Sequence, residues 1–265
     1  VTVCPASTSA ADLAQLLSNA DEPLVFICAN IREAVSFFEA VPPAKLFGGF
    51  RGKKTLVFAD ASKPFWQLFA QRLLPYVDAY ATADCVQTPL DPKKWVPNIY
   101  MPIQDQDWVP AWQAKPVDVG FYGSAKMFSE RRETISYLLN ANVNLNVAGG
   151  NESAYAINFM KALRDTKITL NFSNCNTGEG PPIHHVKGRL WEAAVSRTVI
   201  IETRNPVTPR IFSSEEIIWY DRKEALPKLI HELLADDVRR NAIADRMYQK
   251  AMEYIQPELF WAKFE

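Results

Sequence analysis

The sequence predicts an α/β protein made of two doubly wound, parallel-sheet units, the N-terminal one small. Three observations carry this. Short β-branched runs alternate with longer amphipathic stretches along the chain, the pattern of parallel strands joined by crossover helices. The alternation is interrupted between Trp95 and Pro116 by a stretch rich in Pro, Trp and Gln with no sustained period, which reads as a linker. At 265 residues and 48% hydrophobic content, the chain can bury one large core or two smaller ones.

In the first unit the apolar runs LVFIC (24–28), TLVFA (55–59), AYAT (79–82) and the short IYM (99–101) are the expected strands. Helical spacing of apolar residues marks 11–17, 31–40 and 65–74 between them. In the second unit strands are expected at 117–122, 145–148, 168–172, 198–201 and 217–220. Helices are expected at 130–139, 154–163, 188–195, 223–234 and 238–254, with Ser129 and Asn151 as N-caps. Two such Rossmann-like units would face each other across a cleft between the carboxyl ends of their strands, where open α/β sheets bind ligands.

Composition narrows the function. Twenty-nine basic against thirty acidic residues and a pI near 6.4 supply no general field for nucleic acid or anionic lipid, so any anion binding must be local. The four cysteines, Cys4, Cys28, Cys85 and Cys175, follow no CxxC spacing. Zinc and a disulfide framework are therefore not expected, and reduced thiols fit a cytoplasmic protein. No apolar run is long enough to span a membrane, and the first residues lack a signal peptide's basic and apolar regions.

The stretch from Ile183 to Ser196 is the most informative. Lys187 and Arg189 stand in the first turn of an expected helix, where the partial positive charge of unpaired N–H groups makes cations unfavourable unless an anion lies between them. Phosphate suits that place. Gly188 would let it approach, and Glu192, three residues after Arg189, shares the helical face. A guanidinium forks phosphate oxygens, and a carboxylate one turn deeper accepts from vicinal hydroxyls such as those of a ribose. Equally, Arg189 and Glu192 could be a surface ion pair contributing little. Gly123 and Ser124 form the turn after the strand that opens the second unit, either a ligand-approach turn or an ordinary strand-to-helix connection. The adjacent His184 and His185 lack a full metal-ligand set nearby, so a hydrogen bond to sugar or phosphate is the better reading and no metal site is expected. In the first unit Asp60 and Asp84 follow strands, and each is either a helix or turn cap or a base projecting from a strand end.

From about Ile99 onward, the ordered pieces VDVGFYGS, ERRETISYLL, KITLNFSN, KGRLWEAAVSRTVIIET and EEIIWYDRKEALPKLIHELLADDVRRNAIA resemble the C-terminal domain of GT-B glycosyltransferases. The resemblance is nearest to the CgeB-like group within the wider group-1, family 4-like transferases. It implies an N-terminal acceptor-side domain over residues 1–108 and a donor domain over 109–255. Residues 256–265 would form a last helix packing back on the first domain. It also implies a hexosyltransferase-like enzyme using a nucleoside-diphosphate sugar, UDP or GDP type, with no metal and an unidentified acceptor. In the family's Glu-x7-Glu motif the second position, which holds the ribose, falls on Glu192. The first, which faces the sugar, falls on His184. Lys187 and Arg189 would neutralise the departing diphosphate, and Gly123 and Ser124 match the turn at the start of the donor domain. Asn205 and Thr208 fall where the family presents polar groups to phosphate or sugar. Asp60 is the expected base if the reaction inverts. Two other readings remain: a non-catalytic two-lobed sugar- or nucleotide-binding protein, and a glycosyltransferase acting on nucleic-acid bases.

Overall fold

The computed structural model describes residues 23–28, 31–58, 64–83, 90–97, 100–103, 107–125, 128–149, 158–175 and 182–264. The chain forms two compact units, Val1–Tyr100 with Trp261–Glu265, and Met101–Phe260.

The first unit is built on a parallel sheet in the order β1-β2-β3-β4: Leu24–Cys28, Lys54–Phe58, Ala79–Thr82 and Trp95–Val96. Leu56, Val57 and Phe58 are fully buried, as expected of a strand covered on both faces. Helices α1 (Ile31–Ala40), α2 (Pro43–Phe47) and α3 (Pro64–Leu73) connect the strands. They bring Phe37, Phe38, Phe47, Trp66 and Phe69 into one aromatic cluster with Phe26 and Phe58. Lys53 Nζ donates to the Phe264 carbonyl at 3.2 Å, which ties the C-terminal residues into this unit.

The second sheet has five parallel strands in the order β6-β5-β7-β8-β9. They are β5 Val117–Tyr122, β6 Leu145–Ala148, β7 Thr166–Asn171, β8 Val199–Thr203 and β9 Ile218–Tyr220. Helices α4 (Ser129–Asn140), α5 (Phe159–Arg164), α6 (Gly188–Val195), α7 (Leu226–Ala235), α8 (Asp237–Tyr254) and α9 (Pro257–Trp261) complete the fold. Val119, Phe121, Ile168, Leu170, Val199 and Ile201 form the middle of its core.

Two helix ends use the Schellman pattern without glycine. After α4, Asn142 (φ 58°) lets Val143 N reach the Leu138 carbonyl at 3.0 Å. After α6, Arg197 (φ 51°) lets Thr198 N reach Ala193 O at 2.9 Å. Left-handed backbone costs an L-residue about 1–2 kcal/mol, and the Arg197 side chain offsets it. Its guanidinium donates to the Val109 and Pro110 carbonyls at 2.8 and 2.9 Å, pairs with Asp245 and lies 4.0 Å over the Tyr248 ring. Beside it, the buried Lys115 ammonium donates to Arg164 O (2.7 Å), Ser196 O (2.9 Å) and Thr198 Oγ1 (3.1 Å). One cation thus satisfies the ends of both α5 and α6.

Several expectations are corrected here. The strand expected at 99–101 does not form at Tyr100 or Met101; Trp95–Val96, placed in the linker, pairs with Tyr80–Ala81 instead. Helix α2 begins on Pro43, which has no N–H to lose. Phe128, not Ser129, precedes α4 with extended backbone, so Ser129 is already helical and cannot cap. The helix expected from 154 starts at Phe159, because Asn158 is non-helical and its side chain accepts from Lys161 N at 2.9 Å. The helix expected over 223–234 divides into a 3-10 turn, Lys223–Ala225, and α7, whose first turn contains Pro227. The helix expected at 11–17, the Asn151 cap, Asp60 and Asp84 lie outside the described residues.

Candidate active site

In the second sheet the chain leaves β5 for β6 on one side and then returns to place β7 on the other side of β5. Open α/β sheets bind ligands at this reversal, outside the carboxyl ends of the strands. The turn after β5, the segment after β7 and the N-terminus of α6 meet there.

The turn is made by the absence of side chains. Gly123 has φ +145° and Gly149 φ +96°, conformations that L-residues rarely adopt. Gly123 N donates to Ala148 O at 2.8 Å, and a Cβ on Gly149 would stand 2.8 Å from Gly123 N. A Cβ on Gly123 would collide with the Arg189 guanidinium. Arg189 Nη2 donates to the Tyr122 carbonyl, and its guanidinium lies 4.9 Å from the centre of the Phe121 ring. The carbonyl, the ring and the missing Cβ thus fix the guanidinium at the β5 turn.

Helix α6 is anchored by Leu190, Trp191, Ala193, Ala194 and Val195, all buried. That leaves Lys187, Gly188, Arg189 and Glu192 along its remaining face. Lys187 is the extended N-cap residue and its side chain does not cap the first turn; Leu190 N donates to the Lys187 carbonyl at 3.0 Å, and the N-terminus of a helix is a place where anions are favoured. Lys187 Nζ contacts His185 Nε2. The Glu192 carboxylate folds back so that Oε1 is 3.9 Å from where a Gly188 Cβ would be. Burial pushes the Glu192 carboxyl up, and the Arg189 charge opposes that shift. Burial likewise works against the Arg189 charge and Glu192 supports it.

His184 pairs with Asn174 in an isolated antiparallel bridge, and its Nδ1 is 2.7 Å from Ser173 Oγ. Burial pushes its pKa down. Glu130 opposes the shift while His185 and Lys187 add to it, so the imidazole is held neutral. A third cation reaches the same turn from α4. Arg131, 6% exposed, donates to Ser124 O at 3.3 Å and lies 3.8 Å over the Phe128 ring. Burial, then the Arg189 charge, lowers its pKa to about 10. A buried and a half-buried guanidinium that repel one another make a place where an anion is favoured.

Asn205 turns inward: its Oδ1 accepts from Val207 N and Thr208 N, both at 2.9 Å, as an Asx turn. Thr208 is fully buried next in that turn. Close by, Glu202 is fully buried and accepts from Asn171 Nδ2 at 2.7 Å. Of the expected residues, the structure therefore joins Gly123 with Arg189 directly. Ser124 enters through its carbonyl, Lys187, Gly188 and Glu192 line the α6 N-terminus, His184 sits on the β7 segment, and Asn205 and Thr208 lie in a separate turn. Arg131, Glu202 and Asn171 are additional. The two on strands could have been noticed as the only polar side chains ending the runs ITLN and VIIE. Among the described residues no three His, Cys, Asp or Glu side chains gather as a metal cage, and no helix is long and apolar enough to cross a membrane.

Comparison with known proteins adds the following. A family model described as "Glycosyl transferase-like" matches residues 108–258, more than half of the chain. No curated protein sequence matches it. Among solved structures, Anabaena Alr3699/HepE in complex with UDP and glucose superposes with a TM-score of 0.62 at 9% identity, over 95% of this chain and 78% of that one. A variant of S. aureus TarM with fondaparinux, α-GlcNAc-glycerol and UDP gives 0.58 at 11% identity, over 90% and 54%. The pneumococcal O-GlcNAc transferase GtfA with UDP and GlcNAc gives 0.54 at 12%, over 96% and 58%. The chain thus spans about half the length of TarM.

Proposed function

Because the chain belongs to the glycosyl transferase-like family, we propose that it moves a sugar from a nucleoside-diphosphate donor to an acceptor hydroxyl, with the N-terminus of α6 holding the diphosphate. Its fold, α/β with two parallel sheets, matches GT-B glycosyltransferase structures. The observation that carries the proposal is Arg189, half-buried at the first turn of α6 and locked to the Tyr122 carbonyl beside Gly123.

In transfer, the bond between the anomeric carbon and the diphosphate oxygen breaks, and one to the acceptor oxygen forms. Negative charge grows on the diphosphate while the sugar passes through an oxocarbenium-like state. Arg189, Arg131, Lys187 and the N-terminus of α6 would receive that charge, which is how preorganised sites lower a barrier. These cations suit a metal-independent reaction, since they supply the neutralisation within the chain. Glu192, an acceptor one turn into α6, suits the ribose hydroxyls. A neutral His184 suits the sugar, with Ser173 setting its ring. Asp60 is the proposed base for the acceptor proton if the reaction inverts. UDP in the HepE, TarM and GtfA structures supports a UDP-type donor, with GDP the next choice.

The test is thermal stabilisation and slow donor hydrolysis with UDP, GDP, dTDP, CMP and their common sugar conjugates. One nucleotide class should stabilise the protein and release free diphosphate, and Arg189→Ala should lower turnover by about two orders of magnitude. A donor that binds without ever being consumed would favour the two-lobed binding protein. Unchanged turnover in Arg189→Ala at saturating donor would remove Arg189 from the chemistry.

A further inference from the structure

Residues 173–175 and 183–185 form a short antiparallel ladder after β7. Cys175 N donates to Ile183 O at 2.8 Å and His185 N to Ser173 O at 3.2 Å, with Asn174 and His184 paired between them. In such a ladder alternate residues take opposite faces. Ser173, Cys175 and His185 are buried, while His184 and Asn174 remain half-buried. The His184 backbone is thus fixed on a two-bonded rung, and what remains to be set is its ring.

Ser173 Oγ is 2.7 Å from His184 Nδ1. The hydroxyl is 1% exposed, and the imidazole is its only side-chain hydrogen-bond partner among the described residues. That exclusivity decides where the protons lie. A neutral imidazole carries its proton on one nitrogen. With the proton on Nδ1, the ring would donate to Oγ and the serine proton would be a buried donor with nothing to accept it, which proteins avoid more strictly than a spare lone pair. With Ser173 donating to Nδ1 instead, the imidazole proton stands on Nε2, which has no partner among the described residues. Burial holds the ring neutral; Glu130 opposes this, and His185 and Lys187 add to it. From α4, Arg131 Nη2 reaches the Asn174 carbonyl at 3.5 Å, and a cation on that rung also disfavours an imidazolium.

We propose that Ser173 is a positioning residue of the donor site that fixes His184 as the Nε2–H tautomer, and that this N–H donates to an oxygen of the bound donor. The proposal rests on the donor reading above and narrows it. The donor group that meets His184 must be an acceptor, an oxygen of the sugar or of the diphosphate, and a cationic sugar substituent has no place there.

The experiment is nitrogen-15 NMR of the histidine rings in the full chain at about pH 7.5, where a histidine of lowered pKa is neutral, first alone and then with UDP, UDP-glucose and GDP-mannose. The chain has three histidines, His184, His185 and His231, and the signals lost in His184→Gln assign the ring. Unmodified, His184 should show a protonated, pyrrole-type Nε2 and a bare, pyridine-type Nδ1, and the Nε2 signal should move when donor binds. Ser173→Ala should show the averaged signals of mixed tautomers and bind donor roughly 3- to 10-fold more weakly, the loss of about one hydrogen bond. A protonated Nδ1 or mixed tautomers in the free, unmodified protein overturns the proposal and leaves the donor reading standing. That spectrum needs neither variant nor ligand, so it decides even where Ser173→Ala does not fold. Bound donor with an unmoved Nε2 signal, or a folded Ser173→Ala with unchanged tautomer or affinity, also overturns it. An Nε2 shift with UDP alone supports a phosphate oxygen as the acceptor, and one that needs the nucleotide sugar supports a sugar oxygen. If none of the three ligands binds, the donor reading falls and this proposal with it.

Discussion

At Gly123 a single methyl group probes the proposed donor cradle. It would meet the Arg189 guanidinium and sit on backbone with φ +145°, so Gly123→Ala should lower the melting temperature and abolish nucleotide-induced stabilisation together. A variant that keeps both would show that the close approach of Arg189 is unimportant. Glu192→Ala should raise the donor KM and leave kcat nearly unchanged, since a ribose contact is equal in ground and transition states; steady-state kinetics with varied donor decides it. Lys187 and Arg189 stand out in the sequence as cations expected in a helix's first turn, against its dipole; the structure makes Lys187 the N-cap residue and puts Arg189 in the first turn. Arg131 was hidden, since nothing in the run Glu130-Arg131-Arg132 tells which side chain α4 turns inward. Glu202 was hidden because an apolar strand signal ends at Ile201, while the pairing with β7 continues to Asn171 and Glu202.

Among the elements, strands β1, β3, β5 and β6 fall where their apolar runs predict, since hydrophobic content reports burial directly. Helix ends were less legible, because caps are decided by geometry that composition does not encode. Asn158 caps the start of α5, and Arg197 ends α6 where glycine is usual. Lys115 looked like one more linker residue, yet it binds the α5 and α6 ends at once. Lys115→Ala removes several charge-assisted hydrogen bonds and leaves their carbonyls buried. It should cost about 3 kcal/mol, a melting shift on the order of 10 °C, measured by thermal denaturation. Burial also lowers the Lys115 pKa to about 8 from its ordinary 10.5. The unfolded chain therefore binds more protons between those values, and stability from this group should rise with pH across that window.

For the whole molecule, alternation of strands and helices disclosed the α/β class but not the strand order. That order depends on which side of β5 each connection returns to, a long-range choice with no local signal. A saturating donor, at about 100 times its Kd, should stabilise the protein by about 2.7 kcal/mol. Amide exchange should slow in the β5 turn and the first turn of α6; protection elsewhere but not there would misplace the site. With a net charge of −1, binding to duplex DNA should be undetectable at low salt, and salt-sensitive binding would revive the base-modifying reading. Helix α6 has its proposed chemistry at one end and the Lys115 and Arg197 anchors at the other. Eight residues span about 12 Å, so the helix is a short lever whose pivot is pinned. Loosening the pivot should therefore misaim the cations and raise the donor KM, although no pivot residue touches the ligand.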